Sequence, residues 1–197
     1  MTFDDFKGLI GLSFRDPARA AQTLMAQGWP IQARWMALLA AVSLSALLAS
    51  LAAVLFSTPA PDGTQVVILS HQPMVLALMQ FGAIVMAAGL MSSVGRMFGG
   101  HGRFEDALLL TVWIEVLLLI VQAAQVVLSL ILPGVAGIFG LLAIALFLWL
   151  TVQFTKALHG FTSGPKVLLV MFGTLLVMGF VLSFFMAALG LMPEMPQ

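Results

Sequence analysis

Five long runs of apolar residues constrain the fold of this chain more than any other feature of its sequence. A transmembrane helix needs ~20 consecutive, mostly apolar residues to cross ~30 Å of hydrocarbon. Runs of this length occur at 35–56, 74–94, 107–132, 135–155 and 167–191. They are continuously apolar rather than alternating, which disfavours membrane-spanning strands. The sequence therefore predicts an all-α, polytopic membrane protein with a five-helix transmembrane domain over residues 35–191.

The composition agrees with a membrane protein and disfavours several other classes. Of the 197 residues, 61% are hydrophobic and only 8% are charged, against ~25% charged residues in an average soluble domain. A nucleic-acid-binding protein needs a concentrated basic surface, which this chain lacks. Because cysteine is absent, there is no thiol nucleophile and no Cys-ligated metal. We expect no nucleic acid and no cofactor; the expected partners are the lipid bilayer and a second copy or another membrane protein.

The basic residues predict the orientation of the chain. With five spans, all eight Lys and Arg fall on one side of the membrane, in residues 1–34 and in the loops around 95–106 and 156–166. These residues are Lys7, Arg15, Arg19, Arg34, Arg96, Arg103, Lys156 and Lys166. The opposite segments, including the short external tail 192–197, contain none. The positive-inside rule then predicts an inner-membrane protein with its N-terminus in the cytoplasm and its C-terminus outside.

The first 34 residues are predicted to form a cytoplasmic amphipathic segment rather than a cleavable signal peptide. Apolar residues recur at helical spacing over 3–10, with acidic residues on the other side. Asp16 followed by Pro17 is typical of a helix start, which predicts a second short helix over 18–27. Two interpretations stay open for this segment: it covers the cytoplasmic end of the bundle, or it docks a partner.

Four tryptophans are predicted near the cytoplasmic ends of the spans. They are Trp29, Trp35, Trp113 and Trp149. Because amphipathic rings favour the headgroup layer, we expect them to anchor the helices at the membrane interface.

A polar stripe on the third span contains the one formal charge clearly inside a predicted span, Glu115. A buried charge costs at least ~2.5 kcal/mol on insertion scales, so such a residue is a functional candidate. At ~100° per residue, the other stripe members lie within ~80° of it; they are Thr111, Gln122, Gln125 and Ser129. The stripe predicts either interhelical hydrogen bonds or a pathway for a solute, ion or proton. Gln80 and Gln153 are the candidate polar partners on other spans.

Two cytoplasmic loops carry the remaining candidate contacts. These are Arg96, Gly99, Gly100, His101, Arg103, Phe104, Lys156 and His159. Glu105 and Asp106 are expected at the N-terminus of the third span, where the helix dipole favours acidic residues. His101 and Glu105 have helical spacing for metal ligation, but two ligands fall short of a site. We therefore expect no metal and no catalytic residue.

Three short motifs connect the sequence to a known family. They are the Asp-Pro pair at 16–17, the segment Arg-Met-Phe-Gly-Gly-His-Gly-Arg-Phe at 96–104, and Trp149 followed by Lys-Ala-Leu-His-Gly at 156–160. The second motif is similar to the Gly-Gly-x-Gly-x-Phe loop that follows span two in the Yip1 family. The chain thus resembles the prokaryotic branch of this family of five-span membrane proteins. The resemblance implies an inner-membrane protein of undefined function.

The leading functional hypothesis is a non-enzymatic membrane scaffold or adaptor. Short loops and small residues at four-residue spacing, such as Ser45, Ala49 and Ala53, favour close helix packing. The rival hypothesis is a small transporter or channel component that uses Glu115 with Gln122 and Gln125. A membrane enzyme acting on lipid is the third alternative.

Overall fold

Helices account for nearly all of the residues that the computed structural model describes, which are 2–56, 72–132 and 136–188. Within these residues there are seven helices and no strand. The helices are α1 (Phe3–Arg15), α2 (Pro17–Ala26), α3 (Ile31–Phe56), α4 (Pro73–Met97), α5 (Phe104–Ile131), α6 (Ala136–His159) and α7 (Gly164–Ala188).

The helices α3 to α7 each contain an apolar stretch of 18 to 28 residues that is long enough to cross a membrane. The predicted fold class, a multi-pass all-α membrane protein, is therefore confirmed. Each of these helices extends three or four residues past its apolar run at one end; α3 begins at Ile31, α4 ends at Met97, α5 begins at Phe104, α6 ends at His159 and α7 begins at Gly164. Apolar runs mark only the hydrocarbon layer, whereas backbone hydrogen bonding continues until a cap ends the helix. The tail 192–197 lies outside the described residues.

Glycine caps end α4 and α6 at the end of the bundle that carries the basic loops. Gly99 has a φ of 85°, and the N–H of the next residue, Gly100, donates to Gly95 O at 2.9 Å. The same arrangement ends α6, where Gly160 has a φ of 74° and Phe161 N–H donates to Lys156 O at 3.0 Å. This is the Schellman pattern, which needs a left-handed residue and therefore favours glycine.

The helix α5 lies at the centre of the bundle, in contact with α3, α4 and α6. Every residue from 107 to 115 is buried, so the first half of α5 is covered on all sides by protein. Glu115 is among these buried residues and is 9% exposed. The polar stripe of α5 consequently faces other helices rather than lipid.

The two N-terminal helices form as the sequence predicts and pack into the same core as the spans. Thr2 and Asp5 form a capping box at the start of α1, and these hydrogen bonds from the Thr2 backbone and side chain lower the pKa of Asp5. Asp16 Oδ1 accepts from Arg19 N–H at 3.0 Å at the start of α2. Leu9 and Leu24 belong to the core cluster that includes span residues. This packing favours the interpretation that the segment covers the end of the bundle.

Trp113 corrects one sequence interpretation, because its side chain lies in the core and not at the headgroup layer. It is 6% exposed, and its indole Nε1–H donates to Ser13 Oγ at 2.8 Å. The ring of Phe6 meets it edge-on, with ring centroids 5.5 Å apart. The prediction was wrong because helical position along α5 does not reveal that α1 packs beside it.

Candidate functional site

A hydrogen-bonded polar cluster joins three spans inside the bundle. Gln80 of α4 donates through Nε2 to Glu115 Oε1 of α5 at 2.6 Å and to Ser45 Oγ of α3 at 3.2 Å. Ser45 Oγ–H in turn donates to Gln122 Oε1 of α5 at 3.1 Å. Since apolar surroundings leave an unpaired polar group costly, these bonds stabilise one rotational setting of the three helices.

The cluster lines a cavity of about 360 Å³. Gln125 adds a third amide to the polar side of this cavity, after Gln80 and Gln122. On the other side α6 supplies apolar side chains, including Ile144 and Phe147. The cavity therefore combines one carboxyl group and three amides with an apolar wall, which suits a small polar solute as well as water.

The structure separates the predicted stripe into two groups. Glu115, Gln122 and Gln125 line the cavity, whereas the other two members bond within α5. Thr111 Oγ1 donates to the carbonyls of Ala107 and Leu108, both at 3.0 Å, and Ser129 Oγ donates to Gln125 O at 2.7 Å. Short hydroxyl side chains commonly bond the carbonyl one turn earlier, so helical phase alone did not identify their partners.

Of the two polar partners expected on other spans, only Gln80 joins the cluster. Gln153 lies near the basic end of α6, where its Oε1 accepts from Lys156 Nζ at 3.4 Å. The member that sequence reasoning missed is Ser45, which the four-residue spacing of small residues had marked only for packing. Ser45 is 7% exposed, and its hydroxyl connects α3 to both α4 and α5.

At the basic end of the bundle, His159 fastens the loop after α4 to the end of α6. Its ring is buried, with 4% of the residue exposed. Nδ1 accepts from Gly102 N–H at 3.1 Å, and Nε2 lies 2.9 Å from Met91 O. Because a carbonyl can only accept, Nε2 carries the proton and the imidazole is neutral in this arrangement. Phe161 stacks on the ring, with centroids 5.3 Å apart.

Three glycines make room for the His159 ring. A Cβ at Gly95 or Gly100 would overlap the ring, and one at Gly102 would come within 2.6 Å of both the ring and the Leu158 side chain. The Gly-Gly-x-Gly pattern of this loop therefore has two physical causes. Gly99 supplies the left-handed conformation of the cap, while Gly100 and Gly102 allow close approach.

The predicted loop contacts divide into an inward and an outward set. Of these contacts, Gly100 and His159 form the clasp together with Gly102, and the Phe104 ring lies 6.5 Å from the Trp35 ring between centroids. Lys156 is half-buried, and its Nζ donates to Gln153 Oε1. Outward-facing residues are Arg96, Gly99, His101 and Arg103, all of them exposed. Arg103 makes a surface ion pair of 3.0 Å with Glu105, which contributes little to stability.

A second ion pair, which the sequence did not reveal, ties the start of α3 to the start of α5. Arg34 Nη1 lies 2.9 Å from Asp106 Oδ1, and the two side chains are only 6% and 24% exposed. Arg34 Nε also donates to Trp29 O at 2.9 Å. Asp106 lies in the first turn of α5 as expected, but no side chain caps that helix. Its carboxylate serves instead as the partner of a buried guanidinium.

Metal-binding side chains do not cluster within the part of the chain that the structure describes. No group of three or more His, Cys, Asp or Glu residues there could hold an ion. His101 is exposed on the loop after α4, and Glu105 is half-buried in the first turn of α5.

The fold and these polar contacts define a multi-pass helical membrane protein. The chain belongs to the Yip1 domain family, whose match covers residues 11–185, from within α1 to the last turn of α7. The resemblance noted from the loop motifs is thereby confirmed at the level of the family. No curated protein and no solved structure matched the chain.

Proposed function

We propose that this protein is a non-enzymatic membrane scaffold or adaptor that binds a protein partner through the loop after α4. The observation that carries this proposal is the His159 clasp. Gly102 N–H bonds the loop to His159 of α6, His159 Nε2–H bonds to Met91 O of α4, and three glycines allow the ring to approach this closely. A loop fixed in this way presents its outward side chains in one arrangement, which lowers the entropic cost of binding.

The outward face of this loop has the composition of a docking surface. Met97 is 82% exposed and Phe98 is 61% exposed. Arg96, His101 and Arg103 surround these apolar side chains and are also exposed. Exposed apolar groups with a polar rim are typical of interaction sites. The basic rim favours a partner with acidic groups, either a second membrane protein or another copy through a different face.

The proposed setting is a prokaryotic inner membrane, with this loop in the cytoplasm. The support is the segregation of all eight Lys and Arg residues to the segments 1–34, 95–106 and 156–166. The structure supports the grouping of these segments, because Arg34 pairs with Asp106 and Gly102 bonds to His159. The N-terminal helices would then cover the cytoplasmic end of the bundle.

In-cell photo-crosslinking tests the adaptor proposal. A photoreactive residue placed at Met97 or His101 should give the same discrete adduct, recovered by affinity purification in mild detergent. The matched control places it at Gln22, an exposed position on α2, and should not give this adduct. In the His159→Ala background the adduct should decrease several-fold, because the loop loses its fixed arrangement.

A protein that stays monomeric and gives no adduct from either loop position would overturn the proposal. An adduct that forms equally from Gln22 would also count against this loop as the docking surface.

A second candidate function, a small transporter or channel component, is favoured by the polar cavity between α3, α4 and α5. Gln80 and Ser45 supply the matching polar groups on other spans that a pathway needs. Intramembrane ionisable residues commonly mark ion or proton routes. In reconstituted vesicles, Glu115→Gln should abolish a flux that Glu105→Gln, a change in the first turn of the same helix and outside the cavity, leaves intact. Absence of flux in every form would rule this function out.

A further inference from the structure

An apolar groove of about 480 Å³ runs between α4, α6 and α7, away from the polar cluster. It exists because α7 packs chiefly against α6 and leaves a gap toward α4. On α4 the lining extends from Ala83 to Phe98, about 22 Å at ~1.5 Å per residue. The walls are mostly apolar, as with Leu90 and Val170. The groove is therefore somewhat longer than one leaflet is thick, since a leaflet is half of a ~30 Å hydrocarbon core.

The basic group and most of the polar groups lie at the end of the groove that faces the basic loops; the deeper Thr151 and Thr174 hydroxyls donate to carbonyls of their own helices. Thr155, Thr162, Ser163 and Lys166 line this mouth. The Lys156 side chain lies beside it, with its Cδ 3.8 Å from the position of a Cβ on Gly164. No acidic residue lines the groove, and within the described residues Lys166 forms no ion pair. The mouth consequently carries uncompensated positive charge.

The change from apolar walls to a basic mouth identifies the kind of molecule that the groove would bind. Water would find almost no polar partners along the apolar walls, so the groove suits an amphiphile with a long apolar tail and a negative head. A second copy in the same orientation would bring its own basic end against Lys156 and Lys166, which like-charge repulsion disfavours. Basic pockets between transmembrane helices are known to hold lipid head groups.

We propose that this groove binds an anionic phospholipid of the surrounding leaflet, with one acyl chain between α4 and α7 and its phosphate at Lys166. The hydroxyls of Thr162 and Ser163 donate to the phosphate oxygens. The acyl chain fills the gap that α7 leaves toward α4, and so completes the packing of the last span.

The test uses the full chain in phosphatidylcholine vesicles. One sample contains a phosphatidylglycerol probe with a photoactivatable acyl chain, and the other contains a phosphatidylcholine probe with the same chain. Labelling should map to α4 and α7 and should favour phosphatidylglycerol. Lys166→Gln should reduce this preference about fivefold, since one basic residue near an anionic surface contributes about that factor. Ala87→Phe, at a position exposed to the groove, should reduce the labelling of these helices by both lipids several-fold.

Two matched controls separate this site from ordinary lipid contact. Lys7→Gln removes an exposed lysine on α1, and Ala145→Phe enlarges an exposed alanine of α6 outside the groove; neither should change the labelling. Equal labelling of all lipid-facing helices, unaffected by Ala87→Phe, would overturn the proposal. Crosslinks from the groove to a second copy of the chain would overturn it as well. Size-exclusion profiles of each variant show whether it has folded.

Discussion

The buried imidazole of His159 shows how one side chain determines the shape of a loop. Its two ring nitrogens bond to backbone groups on different segments, Gly102 N–H and Met91 O. A neutral ring with one donor and one acceptor matches this pair, whereas a protonated ring would leave Gly102 N–H facing a second donor. The loop after α4 and helix α6 are thus held together by hydrogen bonds that require the His159 proton to be on Nε2.

Gly95, which lies against the His159 ring, provides a direct test of this contact. Gly95→Ala should lower the free energy of unfolding by about 1–3 kcal/mol, because the added Cβ overlaps the His159 ring and overpacks a buried contact. Gly89→Ala, in the same helix with nothing within 4 Å of the new Cβ, should be neutral or stabilise by up to ~1 kcal/mol through helix propensity. Thermal unfolding in detergent measures both, and similar effects of the two changes would contradict the clasp.

The residues of the clasp were visible in the sequence, but their relationship was not. Gly100 and His159 were both candidate loop contacts, and the resemblance to the Yip1 family depended on their motifs. Gly102 and His159 are 57 residues apart in the chain. Local pattern can identify a glycine-rich turn, yet it does not reveal which side chain occupies the space that the glycines leave.

Among the helices, α5 organises the bundle because its first half is buried on every side. The sequence predicted its polar stripe from helical phase. It named Gln80 as a candidate partner but did not predict the bond from Gln80 to Glu115 or the link from Gln122 to Ser45, because these contacts depend on how α3 and α4 are rotated against α5. Thr111, which has the same phase, bonds instead to its own helix.

A double-mutant cycle tests the contact between α4 and α5. The changes Gln80→Leu and Glu115→Leu, each of which removes one partner of the hydrogen bond, should show a coupling energy of about 0.6 kcal/mol and at most ~1.7 kcal/mol, the range found for interhelical hydrogen bonds in membranes. The control cycle pairs Gln80→Leu with Thr111→Val and should show none, since Thr111 bonds within α5. Unfolding in detergent measures the four proteins of each cycle. Equal coupling in the two cycles would contradict a direct Gln80–Glu115 bond.

The contact between α1 and α5 makes a separate prediction. Trp113→Phe should destabilise the protein by about 1–3 kcal/mol, because it leaves the buried Ser13 hydroxyl without its indole donor and removes ring volume. Trp149→Phe changes a side chain that is 38% exposed and should have an effect within about 0.5 kcal/mol. Thermal unfolding again provides the comparison. If the two substitutions were equivalent, α1 would not be part of the core.

For the whole molecule, charge segregation predicts the orientation in the membrane. A reporter that is active only in the periplasm should be active when fused after Gln197 and inactive when fused after Gly160. The five spans place these two points on opposite sides, and the basic segments favour the cytoplasm. Whole-cell reporter activity measures this directly. Activity at Gly160 with none at Gln197 would reverse the orientation, and equal activity at both would contradict the number of spans.

The sequence by itself determined the helices, the five spans, the start of α2 at Asp16-Pro17 and the family. These features depend on hydrophobicity and capping, which act within one or two dozen consecutive residues. Only the tertiary structure decided which polar groups meet. Arg34 and Asp106 are 72 residues apart, and Ser45 and Gln122 are 77 apart. Such pairs depend on the relative rotation and depth of separate helices. Packing between the helices determines both, and the periodicity of a single helix does not reveal them.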